Sequence, residues 1–156
     1  MENKMQRPPR PKMDFKVLGR VIGYVLKKYK FTAINFIDTG QVTEKSSKSI
    51  QTVTVHDLQK GCDVFDFQSH TYNFHQRNEN GEAYLVSETK KAIQKDIAIS
   101  LVNLDKKNAI FSYPYDEYDN ETIEALKQLN IKMAFTTEGN DVRPGMDLYK
   151  IPRKTI

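Results

Sequence analysis

Two of the chain's three histidines stand five residues apart in the run Phe67-Gln-Ser-His70-Thr-Tyr-Asn-Phe-His75, directly after an apolar stretch. A neutral imidazole keeps one lone pair free, so two that converge supply the nitrogen half of a divalent-cation site, with zinc the leading candidate. A carboxylate is the usual third protein ligand, and water takes the open position. The same spacing also admits two loop imidazoles that only hydrogen-bond to nearby backbone. On an ideal helix an i, i+5 pair is separated by about 140° of rotation, which would turn the rings apart. A turn must therefore bring them together, and Ser69 and Asn73 are residue types that support one through local side-chain bonds to backbone.

The elements that must position this turn can be read from periodicity. Val17, Leu18, Val21, Ile22, Val25 and Leu26 follow helical spacing, which predicts a helix over 16–29 with one core-facing stripe and a lysine-rich last turn. Helices are also predicted over 88–105 and 121–129, the latter capped by Asn120, and a short one from Val55 capped by Thr54. Strands are predicted at 31–37, 63–68, 109–113 and 132–136. Strand and helix alternate, the pattern of a mainly parallel α/β sheet or barrel, in which ligands collect at the C-terminal ends of the strands. The histidines follow the second strand at that end.

Composition narrows the classes. The 156 residues suffice for one domain with a real core, and no apolar run approaches the roughly 20 residues that cross a bilayer. The sequence reads as a basic, Pro-rich tail over 1–14 and one domain over 15–156. The first 30 residues hold nine Lys or Arg against two acids, more than the whole net charge of +4. Those cations belong to the tail and to a helix C-terminus, where they complement the dipole, so nucleic-acid binding is not expected. The single Cys62 excludes an internal disulfide, and its apolar neighbours Val64 and Phe65 predict a buried thiol.

Motifs beyond the histidine pair lie in collinear order. His70-Thr71-x-x-x-His75 resembles the His-Ser/Thr-x-x-x-His motif of the NodB-homology polysaccharide deacetylases, carbohydrate esterase family 4. Leu26-Lys-Lys-Tyr-Lys-Phe-Thr-Ala with Asn35-Phe36-Ile37 is similar to a helix-strand unit of the branch acting on poly-N-acetylglucosamine. Phe111-Ser-Tyr-Pro-Tyr-Asp-Glu-Tyr118 resembles its third motif. Asn120 to Lys127 leading into Met133-Ala-Phe-Thr-Thr137 resembles its next helix and strand, and Tyr149-Lys-Ile-Pro-Arg153 its closing segment.

The resemblance implies a distorted (β/α) barrel and metal-dependent removal of N-acetyl groups from amino-sugar polymers, outside the cell or at its surface. It implies His70 and His75 as metal ligands, Tyr113, Pro114 and Tyr115 as a substrate-binding loop whose Tyr115 amide meets the oxyanion, and Arg153 as a residue that orients the general base. The family's first-strand motif, Thr-Phe-Asp-Asp-Gly, which supplies the third ligand and the base, does not occur in this sequence. The segment before the first helix offers Asp14 alone, either a substitute ligand or a helix N-cap, between prolines that exclude a central strand. The expectation is thus a partial barrel lacking its first strand, with a weakly held cation, slow or absent turnover and strand edges open to self-association. Asp116 stands where the family commonly has glycine, and no histidine follows His75. With no apparent signal peptide, the chain would be cytoplasmic if it is a complete product. A non-catalytic relative that binds glycan or protein through an aromatic rim, Tyr72, Phe74, Tyr113, Tyr115 and Tyr118, is the alternative.

Overall fold

The computed structural model describes residues 15–44, 53–107 and 109–154, with side chains from residue 21 onward. Five parallel strands, β1 (Ala33–Ile37), β2 (Phe65–Ser69), β3 (Ile110–Ser112), β4 (Met133–Thr136) and β5 (Ile151–Pro152), are hydrogen-bonded in chain order. Helix α1 (Phe15–Tyr29) precedes β1, and α2 (Val55–Gly61), α3 (Tyr84–Ser87), α4 (Lys90–Asn103) and α5 (Asn120–Gln128) lie between successive strands. The four strands and three longer helices expected from periodicity are all present, joined by the short α3 and β5, whose few residues carry no periodic signal.

Local chemistry sets the boundaries. Thr54 caps α2 with a reciprocal box: its Oγ1 accepts the Asp57 amide at 3.2 Å while the Asp57 carboxylate accepts the Thr54 amide at 3.0 Å. The cap of α5 is Asp119 rather than Asn120, because the Asp119 carboxylate accepts the Thr122 amide at 2.7 Å. Helix α4 begins at Lys90, two residues later than expected, with Thr89 as its cap.

The core lies between α4, α5 and the sheet, where Ile93, Ile97, Phe111, Leu126 and Ala134 are essentially inaccessible to solvent. On the opposite face Phe36 of β1 meets Phe135 of β4, ring centroids 5.7 Å apart. Strands in a flat sheet are spaced about 4.8 Å, which would put β1 and β4 about 14 Å apart. The sheet must therefore curl toward that face, the curvature of a partial barrel.

Two expectations change. The α1 stripe is largely solvent-exposed against the described residues, with Val21 at 56 % and Val25 at 44 %. Helix α1 rests against the start of β2, where Gly23 faces Phe65 and Lys27 pairs with Asp63, and with β1 paired on one side only among the described residues it has little sheet to cover. Cys62 is exposed, because it stands one residue past α2, where its thiol turns back to the Gln59 carbonyl at 3.0 Å.

Candidate functional site

The site is built on the end of β2. His70 continues the β1–β2 ladder, its amide donating to the Ile37 carbonyl at 2.9 Å, and its Nδ1 lies 2.8 Å from the Ser112 carbonyl of β3. A carbonyl only accepts, so Nδ1 carries the proton and Nε2 is left with the lone pair. Burial pushes the His70 imidazole down to about 4, and the neighbouring His75 and Arg153 push the same way, so the ring is neutral near pH 7.

After His70 the chain reverses sharply. Thr71 has φ 96°, a conformation a β-branched residue adopts only at a cost of about 1–3 kcal/mol. The Tyr72 and Asn73 amides donate to the two oxygens of the Asp96 carboxylate on α4 at 2.9 and 2.8 Å. On the other side Gly40 donates its amide to the Tyr72 carbonyl at 2.7 Å, and a Cβ at Gly40 would lie 2.2 Å from that oxygen. The reversal returns His75 to His70, with ring centroids 4.7 Å apart and planes at 80°.

The β3–α5 loop closes over this pair. Tyr115 packs against His75 at 4.8 Å and donates its hydroxyl to the His75 carbonyl at 3.2 Å. Arg77 lies over the Tyr115 ring at 4.3 Å and pairs with Glu117, whose carboxylate also accepts the Ala83 amide at 3.0 Å. Both Tyr115 and Asp116 have φ 58°. Aspartate tolerates this left-handed region better than most residues, and its carboxylate accepts the Thr137 amide at 2.9 Å, which explains how Asp116 occupies a glycine-like position.

Of the residues expected in the site, His70, His75 and Tyr115 come together. Tyr113 and Pro114 are buried beneath them, Tyr113 donating its hydroxyl to the Tyr149 carbonyl, so neither presents a free surface. Arg153 donates to Ser112 Oγ at 2.7 Å and to the Thr136 carbonyl at 3.2 Å, and no carboxylate pairs with it among the described residues. It braces the β3 residue that holds His70. Asp14 lies outside the described residues.

Sequence reasoning passed over two carboxylates. Asp38, at the C-terminal end of β1, has a buried oxygen without a hydrogen-bond partner among the described residues, and burial, with help from Asp96, pushes its carboxyl up to about 6. Asp96 is 5 % exposed on the same face of α4 as Ile93 and Ile97. An acid on an apolar stripe was the available signal. Two imidazoles fit a cation's nitrogen ligands, yet among the described residues no group of three or more His, Cys, Asp or Glu could hold a metal ion. A groove of ≈ 410 Å³ between α1, α2 and β2, lined by Tyr24, Lys27, Phe65 and Phe67 among others, shares no residue with this cluster.

A family model described as Polysaccharide deacetylase matches residues 20–134, a span that includes both histidines and the Tyr115 loop. The chain belongs to the polysaccharide deacetylase family. It is similar to the poly-beta-1,6-N-acetyl-D-glucosamine N-deacetylase of Staphylococcus aureus, 28% identical over 138 residues, covering 85% of this chain and 48% of that protein. The chain thus spans about half the length of the curated relatives it matches. Its fold resembles that of IcaB from Ammonifex degensii, with a TM-score of 0.76 and 22% identity over 89% of this chain and 62% of the other. It also resembles the Streptococcus pyogenes deacetylase PplD, solved with acetate, with a TM-score of 0.71 and 22% identity over 89% and 59% of the two chains. Both likenesses agree with the curled parallel sheet described above.

Proposed function

We propose that this chain carries the histidine half of a metal-dependent N-deacetylase site for a poly-N-acetylglucosamine-like polymer at or outside the cell surface. The observation that carries the reading is the convergence of His70 and His75 at the C-terminal end of a parallel sheet, with His70 Nδ1 committed to the Ser112 carbonyl. That commitment leaves Nε2 free as a ligand, and metal-binding histidines commonly fix their orientation through just such a bond from the other ring nitrogen. A divalent cation held there, zinc by preference, supplies a Lewis acid for an acetamide carbonyl and acidifies a bound water. Tyr115 closes one wall of the cluster against His75, and in this reading its backbone amide would meet the developing oxyanion.

The reading includes weak cation binding and slow or absent turnover by this chain alone, because the described residues add no carboxylate to the two imidazoles. General-base catalysis typically contributes about 10²–10⁴-fold, and the Asp-Asp motif from which the family takes its base does not occur in this sequence. Calorimetry with zinc, paired with hydrolysis of an acetylated glucosamine oligomer, tests it. Weak binding abolished by His70→Ala is expected; binding unchanged by that substitution places the cation elsewhere, and family-like turnover overturns the impaired activity.

A further inference from the structure

We infer that Asp96 is the positioning residue of the histidine turn: its carboxylate, reaching out of α4, sets the backbone course that lets His75 meet His70. The inference rests on the proposed cation site for its purpose, but its geometry stands independently. Asp96 is buried at 5 % exposure in the middle of α4, where an acid with no partner would be strongly disfavoured. Its two oxygens instead take the consecutive amides of Tyr72 and Asn73, at 2.9 and 2.8 Å. Those amides lie midway between the histidines, directly after the left-handed Thr71.

Nothing regular holds this segment. It belongs to neither helix nor strand, and only a carboxylate offers two acceptors in one plane to two adjacent backbone donors. The next turn of α4 contributes Ser100, whose hydroxyl accepts from the Ser69 hydroxyl at 2.8 Å, while Ser69 Oγ accepts the Thr71 amide at 3.2 Å. One face of α4 thus fixes the chain on both sides of the strained residue. From the end of β1, Gly40 closes on the Tyr72 carbonyl. The bonds of Asp96 go to the backbone that carries the imidazoles, and through that backbone it acts on them.

In Asp96→Asn the carboxamide has one oxygen and one NH2, so one of the two backbone amides faces a donor. The full chain and this variant are compared by zinc calorimetry and by the ring-to-ring NOE between His70 and His75. Ile97→Val, a core change one residue along the same helix, controls for general loss of stability. The expected result is zinc affinity reduced about tenfold or more, the range typical when a group that orients a metal ligand is altered, with the NOE weakened. The Ile97→Val protein keeps both, and the Phe111–Tyr113 core contact persists in all three. An Asp96→Asn protein that binds zinc within about twofold of the parent and keeps the ring NOE overturns the inference. If the parent binds zinc but His70→Ala does not affect it, the cation reading fails, while the NOE still decides the role of Asp96. Hydrogen exchange in the unaltered chain serves where the variant does not fold: protected Tyr72 and Asn73 amides support the clamp, and amides exchanging at open-chain rates refute it.

Discussion

Replacing His70 with asparagine separates the imidazole's charge from its place in the fold. The carboxamide nitrogen introduced by His70→Asn can still donate to the Ser112 carbonyl in the manner of Nδ1, but it does not titrate. In the parent, burial holds the folded-state imidazole at about 4 against an ordinary value of 6.5. The unfolded chain therefore binds the proton more readily, and stability falls as pH drops from about 6.5 toward 4. At about 1.36 kcal/mol per pH unit, the parent should lose about 3 kcal/mol between pH 7 and pH 4 that the variant does not lose. Asp38 opposes this, since its raised folded value favours the folded chain as pH falls from about 6 to 3.8. That contribution is common to both proteins and cancels in the difference. Urea unfolding of each across this range, followed by circular dichroism, measures the difference directly. A difference that is flat from pH 7 to pH 4 would show that His70 is solvated and refute the buried, neutral ligand.

Gly40→Ala should destabilise the chain by about 1–3 kcal/mol and weaken zinc binding, because its Cβ would sit 2.2 Å from the Tyr72 oxygen; urea midpoints and calorimetry test this, and unchanged values would disprove the close approach. Leu126→Ala, at 0 % exposure, should cost about 2–5 kcal/mol in the same unfolding assay without altering the histidine NOE. Native Cys62 should react with a thiol reagent at nearly the rate of the unfolded chain, and protection from it would contradict the exposed thiol. β1, paired on one side only among the described residues, and exposed Ile34, at 47 %, should produce concentration-dependent association in sedimentation that Ile34→Lys reduces; a monomer at all concentrations would count against it.

The amino-acid sequence by itself determined the alternation of elements. Hydrophobic period and capping chemistry are local, so the Thr54 cap, the helical stripe containing Ile93 and Ile97, and the β-rich segments before Asp38 and His70 were legible without a partner. The parallel α/β class and the position of the histidines after a strand follow from that order. Curvature was not legible, because the contact of Phe36 with Phe135 joins residues almost a hundred positions apart and depends on every intervening strand. The same holds for burial: Cys62 has apolar neighbours in sequence but stands at a helix end facing solvent, whereas Tyr113, read as part of an aromatic rim, is packed under Tyr118. The convergence of His70 and His75 was likewise decided in three dimensions. Their spacing allows a turn, but the left-handed Thr71 persists only because Asp96, Ser100 and Gly40, brought in by other elements, satisfy its surrounding backbone. A turn's local preferences are worth about a kilocalorie, less than the strain at one such residue, so tertiary hydrogen bonds determine whether two imidazoles five residues apart become neighbours.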